Sequence, residues 1–398
     1  MSGPQQLLSE ARVLAPQLSA WRRALHRRPE LGLDCREAAA LVAGELRGLG
    51  FSLRQGLAGS GLAAVLRGGP GPALALRVDM DALPLDERTG LAFASEIPGR
   101  MHACGHDGHT ALGLGVAHLL ASRTGELGGD LLLIFQPGEE HPGGAKPMLD
   151  AGVLDDPDPV LILGCHLNPA LALGRVAVCS GPATAGNEEF TITLTGKGGH
   201  AARPKDCRNP IPPAAQLVLD LEALAGRLAA GPESAVLSVA QFQAGQGHNV
   251  IPQNAEIKGT LRFFQEKARQ AAVAEMARLC KDLEAATGVA AALASVTDAP
   301  PMLLPEDLAL RVRDCCAEFC GPENVDLPAP LSMGAEDFAH FAQARPAAYL
   351  RLGCGDAVHT HLLHTPFFDF DESLLPGACA LLAWCLLRLS GGGSRGMP

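Results

Sequence analysis

Aromatic and basic side chains are scarce in this sequence of 398 residues. It has one Tyr, two Trp and 13 Phe, and its 32 Lys and Arg face 43 Asp and Glu, so the formal net charge is −11. Proteins that bind nucleic acids present a basic surface, often with aromatic side chains on which bases stack. The composition provides neither, and we expect no nucleic-acid partner.

Targeting signals and long apolar runs are also lacking. The N-terminus has no basic segment followed by an apolar run, as a signal peptide would have. The apolar stretch ACALLAWCLL at 378–387 is shorter than the roughly 20 residues that cross a bilayer, and we expect it to be a buried helix. The twelve cysteines contain no CxxC pair and are irregularly spaced, which fits reduced intracellular thiols. These features predict a cytoplasmic protein without a membrane partner.

The length and the hydrophobic pattern predict two domains. A chain of 398 residues exceeds what one hydrophobic core usually supports. Continuous Leu, Ile and Val runs between helical patterns predict a mostly parallel sheet that is covered on both faces. From residue 184 the order becomes β-α-β-β-α-β, which is ferredoxin-like. We therefore predict an α/β catalytic domain from 1–183 and 297–398, with an inserted ferredoxin-like α+β domain at 184–296.

Polar clusters follow the predicted buried strands. They are DMDALP (79–84), HACGHDGH (102–109), QPGEEH (136–141) and GCHLNP (164–169), and HTHLLHTPFFDFDE (359–372) follows the last strand-like run. In open α/β sheets the ligand crevice lies outside the carboxyl ends of the strands, so we expect the clusters to converge. One cluster alone is also typical of a solvated loop. Together they offer thiolate, imidazole and carboxylate groups, which are the ligands of a transition-metal site.

These motifs, with LHRRPELG, GGHAARP, NVIP followed by GTLR, and GAEDF, resemble those of the co-catalytic metal aminoacylase and carboxypeptidase family. The resemblance runs from about residue 20 to 390 in the same order. The most similar branch contains hippurate hydrolases, N-acyl-amino-acid amidohydrolases and plant auxin-conjugate hydrolases. The resemblance implies two divalent ions, zinc or manganese, with cobalt or nickel also acceptable. The ligands that it implies are Cys104 as a bridge, His106, Glu140, His166 and His364.

The same resemblance implies the catalytic roles. Glu139, next to the ligand Glu140, would be the general base and acid. Asp81 would tune the base and the metal site. His200 of the inserted domain would polarise the scissile carbonyl, often across a dimer. The substrate carboxylate would be held by Asn249 and Arg262.

The implied activity is hydrolysis of an N-acyl or N-aroyl amino acid, a small-molecule substrate, to a carboxylic acid and a free amino acid. The inserted domain would then be a lid and dimerisation domain of a homodimer or a higher homo-oligomer. Alternatives within the family are dipeptide cleavage, N-deacetylation and carbamoyl-amide hydrolysis. The alternative of another class is a metal-bound scaffold without activity.

Several polar residues near the implied ligands have more than one reading. His102, Asp107 and His109 either orient the ligands or belong to the start of the following helix. His359 and His361 compete with His364 for the C-terminal ligand position, and the match of LHTPFFDFDE favours His364. The sequence leaves the role of Asp79 open. Many branches of the family have a metal-binding histidine at its position.

Overall fold

The computed structural model describes residues 2–229 and 235–391, and the chain divides into two compact units. The first comprises 1–183, 303–330 and 337–398, and the second comprises 184–302 and 331–336. The extreme ends of the predicted catalytic domain, residue 1 and 392–398, lie outside the described residues. The second unit extends past 296 because its last strand runs to Ala299.

The described residues contain helices and strands in an alternating order. The α-helices are α1 (Pro4–Val13), α2 (Ala15–Arg27), α3 (Arg36–Leu46), α4 (His106–Ala121), α5 (Ala145–Asp150), α6 (Ile211–Ala229), α7 (Glu266–Thr287), α8 (Glu306–Cys320), α9 (Phe338–Ala344) and α10 (Leu374–Gly391). The strands are β1 (Ser52–Leu57), β2 (Gly61–Leu66), β3 (Gly71–Asp79), β4 (Gly129–Gln136), β5 (Pro159–Ala172), β6 (Val176–Val178), β7 (Gly181–Thr184), β8 (Gly186–Thr195), β9 (Gly199–His200), β10 (Ala235–Ala244), β11 (Val250–Ile251), β12 (Asn254–Phe263), β13 (Ala290–Ala299), β14 (Met302–Leu304), β15 (Val325–Asp326) and β16 (Ala347–Gly355).

The first unit is built on an eight-stranded mixed sheet. Its order is β1-β2-β4-β3-β5-β16-β6-β15, and the central strands β4, β3, β5 and β16 pair in parallel. Apolar side chains on β2, β3 and β4 are buried throughout the runs LAAVL, ALAL and LLLIF, because helices cover both faces of such a sheet. The prediction of an α/β fold with a mostly parallel central sheet is confirmed.

Helix α10 is a core helix of the first unit. Its 18 residues are long and apolar enough to cross a membrane by length and composition, and they exceed the predicted ten-residue run. However, 83% of this segment is buried inside the fold. Its apolar surface is therefore already covered by protein, as the sequence predicted for a buried helix.

The second unit has the predicted ferredoxin-like order. Strands β8, β10, β12 and β13 form an antiparallel sheet in the order β10-β12-β8-β13, and α6 and α7 supply the β-α-β-β-α-β connections. Along β12 buried and more exposed residues alternate, as expected of a sheet with one covered face. The unit has a hydrophobic core of its own, which runs from Phe190 to Val289.

Candidate metal centre

Cys104 lies at the centre of a cluster of ligand-type side chains in the first unit. Its Sγ is 3.3 Å from Nε2 of His166 and 3.3 Å from Nε2 of His364. His364 Nε2 is also 3.1 Å from Oε1 of Glu140. Two groups of candidate ligands, Cys104 with His106 and His166 and Cys104 with Glu140 and His364, share the thiol. The arrangement offers two adjacent cation positions joined by one sulfur.

The ligand loop is shaped by its glycines. Gly105, directly before α4, has φ +83°, a value that residues other than glycine rarely adopt. A Cβ on Gly108 would lie 2.7 Å from the ring of Phe370. Because α4 begins at His106, the first turn of the helix itself carries a candidate ligand. The loop can therefore place Cys104 and His106 together.

Two histidines have their tautomers set by backbone carbonyls. His106 Nδ1 is 3.0 Å from the carbonyl oxygen of Asp81, and His166 Nδ1 is 2.7 Å from that of Leu167. In the neutral ring that binds a metal, Nδ1–H donates to the carbonyl and the lone pair of Nε2 faces the cluster. His166 lies within β5 and not after it as predicted, since β5 continues in parallel pairing with β16 past this residue.

Asp81 orients the two adjacent glutamates. Its carboxylate accepts hydrogen bonds from the amide of Glu139 at 2.9 Å and from that of Glu140 at 3.0 Å. Burial raises the pKa of Asp81, against the opposing effect of these bonds and of His106. Glu139 Oε2 is 3.9 Å from His106 Nε2. One buried carboxylate thus fixes the backbone from which both glutamate side chains reach the cluster.

His109 is occupied by protein partners on both ring nitrogens. Its Nδ1 is 2.6 Å from Oδ1 of Asp79, and its Nε2 accepts from the amide of Leu167 at 3.0 Å. Asp79 also receives a hydrogen bond from the buried Arg77 at 2.7 Å. Asp79 and His109 therefore link the end of β3 and the start of α4 to β5 at Leu167, next to His166, instead of offering free ligand atoms.

Asp107 points away from the thiol, to helix α2. Its Oδ2 is 2.8 Å from Nδ1 of His26 and 3.3 Å from Nε of Arg22. His102 is also buried, and its Nδ1 has no hydrogen-bond partner within the described ranges. Burial lowers the pKa of His102 to about 4, so this ring is neutral at physiological pH.

Of the three C-terminal histidines, His364 is the one that contacts the cluster. Its backbone amide donates to the carbonyl of Ala103 at 2.9 Å, which ties this segment to the ligand loop. His359 instead lies 2.8 Å from Asp356, and the His361 ring is 5.2 Å from that of Phe367. The geometry favours His364, as the motif did.

The cluster is electrostatically suited to divalent cations. Burial, together with Glu140 and Glu139, raises the pKa of Cys104 well above its usual range. Burial disfavours the charged form of His106, yet Asp79 and Asp81 raise its pKa to about 10. His106 Nε2 is buried and has no hydrogen-bond partner among residues 2–229 and 235–391. A soft thiolate, imidazole nitrogens and carboxylates fit two transition-metal ions, which would neutralise the acidic groups and take up the orphaned nitrogen.

Comparison with known proteins agrees with this geometry. The sequence profile of peptidase family M20/M25/M40 matches residues 75–386. The chain belongs to this family. An N-acetyl-L-cysteine deacetylase from Bacillus subtilis is 37% identical over 379 residues, with 95% of this chain and 89% of the relative covered.

Two further proteins are similar to this chain: one is from a plant, and the structure of the other has been solved. IAA-amino acid hydrolase ILR1-like 4 of Arabidopsis thaliana is 36% identical over 368 residues, which cover 91% of this chain and 83% of the relative. The Bacillus subtilis YXEP protein, described as a dinuclear metal binding peptidase from the M20 family, superposes with a TM-score of 0.82 at 33% identity and covers 95% and 99% of the two chains. As an M20 protein, the chain is a metal-dependent hydrolase acting on amide bonds.

The second unit of this M20 protein carries the other predicted site residues. His200 pairs with Val250 between β9 and β11, and the amide of Ala201 donates to the carbonyl of Asn249 at 3.1 Å. His200 and Asn249 are therefore neighbours, and both are exposed. Arg262 lies near the other end of β12, eight residues beyond Asn254, which is roughly 26 Å along an extended strand. Within this unit the structure does not bring Arg262 beside His200.

Sequence reasoning missed the buried arginines that support the centre. Arg77 is fully buried and donates to Asp79, to Gln136 at 2.8 Å and to Asp337 at 2.8 Å. Arg22 is 1% exposed and donates to Asp107 and Asp369. The signal for Arg77 was present, because it interrupts the apolar run ALALRVD in a strand that should be covered on both faces.

Proposed function

We propose that this M20 hydrolase cleaves the amide bond of N-acyl amino acids, giving a carboxylic acid and a free amino acid. The observation that carries the proposal is the position of Glu139, whose carboxylate faces the same buried His106 that contributes to the candidate metal cluster. A cation-binding protein without activity needs ligands but no additional carboxylate beside them. The names of the relatives, an IAA-amino acid hydrolase and an N-acetyl-L-cysteine deacetylase, also support an N-acyl amino acid as the substrate class.

Cys104, His106, Glu140, His166 and His364 would hold two divalent ions, zinc or manganese, with cobalt or nickel as further candidates. Bound ions supply Lewis-acid polarisation and lower the pKa of water. Glu139 would accept the proton from the attacking water and deliver it to the amide nitrogen as the carbon–nitrogen bond breaks. Asp81 would keep Glu139 in position through its backbone amide.

The second unit would act as the lid and dimerisation domain of a homodimer. In the second unit His200 lies in the β9–β11 pair, which comes before β12 in the chain, and Arg262 lies near the far end of β12, so we expect that one amino-acid-sized substrate does not reach both residues of the same copy. One of them would therefore come from the partner, with His200 stabilising the developing oxyanion and Asn249 and Arg262 binding the carboxylate. We also propose a cytoplasmic location, since all twelve cysteines are free thiols.

Glu139→Gln tests the proposal. The variant should retain its metal and lose roughly 10²- to 10⁴-fold in kcat, the usual contribution of a general acid–base group. Metal content and hydrolysis would be measured with zinc, manganese and cobalt on N-acetyl, N-benzoyl, N-indoleacetyl and long-chain acyl amino acids. Glu37→Gln, on an exposed residue of α3, is the matched control and should behave like the unmodified protein.

Three results would redirect the assignment. Full activity in Glu139→Gln would remove this residue from the chemistry. Dipeptides and carbamoyl amides belong in the same panel, because preferential turnover of either would favour the corresponding alternative. Metal-loaded protein that hydrolyses none of the compounds would instead favour a binding protein.

A further inference from the structure

A cleft of about 440 Å³ lies in the first unit, at the end of the strands opposite to the candidate metal centre. It opens at the amino ends of β3, β5 and β16 and is bordered by α8 and α10. Val160 lines the cleft and His166 belongs to the metal cluster. These residues are six positions apart on β5, or roughly 20 Å along an extended strand. The cleft is therefore separate from the candidate active site.

The lining of the cleft is mostly apolar. Side chains from strands β3 and β5 and from helices α8 and α10 contribute to it, among them Leu74, Val160, Leu161, Leu308 and Leu389. Small-molecule sites are typically concave spaces of roughly 300–1,000 Å³ with an apolar lining and a few polar groups that fix orientation. In volume and lining this cleft resembles such a site.

Of the four charged side chains that line the cleft, two form an ion pair with each other and two do not. Asp158 and Arg345 neutralise each other through an ion pair of 2.7 Å. Asp307 and Arg311, one turn apart on the same face of α8, also line the cleft. In residues 2–229 and 235–391 neither of them makes an ion pair or a side-chain hydrogen bond. Arg311 is half-buried and has already lost part of its hydration.

We propose that this cleft binds a small carboxylate with an apolar body, which Arg311 recognises. A guanidinium presents a planar fork of donors that matches a carboxylate, and such charge-assisted bonds are among the stronger ones. The apolar lining accepts the rest of the molecule. Binding of this kind does not depend on the proposed function, although both products of that reaction, a free acid and a free amino acid, have this chemistry.

Asp307 provides the means to distinguish a free amino acid from a simple carboxylic acid as the ligand. An amino acid carries an ammonium group beside its carboxylate, and Asp307 could pair with it while Arg311 holds the carboxylate. A simple acid has no such group and gains nothing from Asp307. The ligand preference and its dependence on Asp307 therefore identify which kind of molecule the cleft takes.

Calorimetry on the metal-loaded protein tests the proposal with phenylalanine, leucine, phenylacetate and phenethylamine. We expect saturable binding of at least one carboxylate, no comparable binding of phenethylamine, and a Kd at least about tenfold higher in Arg311→Gln. Arg313→Gln is the matched control, because Arg313 lies on the same helix, pairs with Asp314 and does not line the cleft. Equal melting temperatures of the two variants would show that the fold is retained.

The outcomes separate clearly. Tighter binding of phenylalanine that weakens in Asp307→Asn identifies an amino-acid site, and tighter binding of phenylacetate that is indifferent to this change identifies a site for simple acids. Absence of saturable binding up to about 10 mM, or equal affinity of Arg311→Gln and the unmodified protein, overturns the proposal. The result is independent of hydrolysis, since Arg311 lines a cleft at the amino ends of the strands, whereas Glu139 follows the carboxyl end of β4.

Discussion

Cys104 is the residue on which the candidate metal centre depends most, since both groups of ligands include its sulfur. Replacing it by Ser exchanges a thiolate for a weak neutral ligand at both cation positions. We expect Cys104→Ser to lower metal affinity at least roughly tenfold, measured as metal content after dialysis against a chelator. Cys104→Asp should recover part of the loss, because a carboxylate can also bridge two cations.

The control for this experiment is Cys207→Ser. Cys207 is a partly exposed free thiol of the second unit, and its replacement should leave metal content unchanged. Metal content in Cys104→Ser equal to that of the unmodified protein would exclude the bridging role.

Arg77 is the second residue with a distinct expectation. It is fully buried, and its guanidinium holds Asp79 and Asp337 with Gln136 between them. Arg77→Met would leave two buried carboxylates short of a cation, a loss that typically costs about 3–5 kcal/mol. Urea unfolding of the metal-loaded variant measures this free energy.

Arg77→Lys serves as the comparison, since it keeps the charge but cannot reach three acceptors with one planar group. We expect its stability to fall between that of Arg77→Met and that of the unmodified protein. A cost below about 1 kcal/mol for Arg77→Met would show that the surrounding polar groups do not require the guanidinium.

At the scale of elements, the contact between α2 and the first turn of α4 predicts a pH-dependent stability. His26 of α2 lies between Asp107 and Glu87, with Arg22 and His102 also nearby. Burial opposes protonation, but Asp107 and Glu87 raise the pKa of His26 to about 9. This stabilisation is complete below the unfolded pKa of about 6.5 and is lost as the pH rises through 9.

The expected size of the effect is about 3 kcal/mol between pH 6.5 and pH 9, from a difference of about 2.5 pKa units. His26→Gln keeps a polar side chain but cannot titrate. The difference in unfolding free energy between the two proteins should therefore shrink by this amount as the pH rises, in urea titrations of metal-loaded protein. A difference that does not change with pH would mean that His26 is not protonated in the folded state.

The elements also explain how far the sequence predicted the site. Apolar runs bounded by polar motifs locate the ends of β3 and β4, where Asp81 and the two glutamates are found. Partners far apart in the sequence leave no periodic signal, so the links from Arg77 to Asp337 and from Arg22 to Asp369 could not be predicted. The end of β5 was misplaced for a related reason: its length is set by pairing with β16, which begins 181 residues after His166.

At the scale of the whole molecule, the two units should respond differently to metal. Cys104, His106, Glu140, His166 and His364 all belong to the first unit, whereas the second unit has its own core and its own sheet. A ligand that binds only the folded state stabilises it by an amount that grows with the ligand concentration relative to Kd. Metal should therefore stabilise the unit that binds it.

We expect a polypeptide of residues 184–302 to fold cooperatively without metal, because its core from Phe190 to Val289 lies within this range. Its melting temperature should not change when a chelator or zinc is added. The full chain should melt at a lower temperature in chelator and regain stability when zinc or manganese is restored, by about 4 kcal/mol at a thousandfold excess over Kd. Scanning calorimetry of both proteins under the same conditions makes the comparison. A metal-dependent shift in the isolated segment would place a cation site in the second unit, and an unshifted full chain would mean that the Cys104 cluster binds no metal tightly.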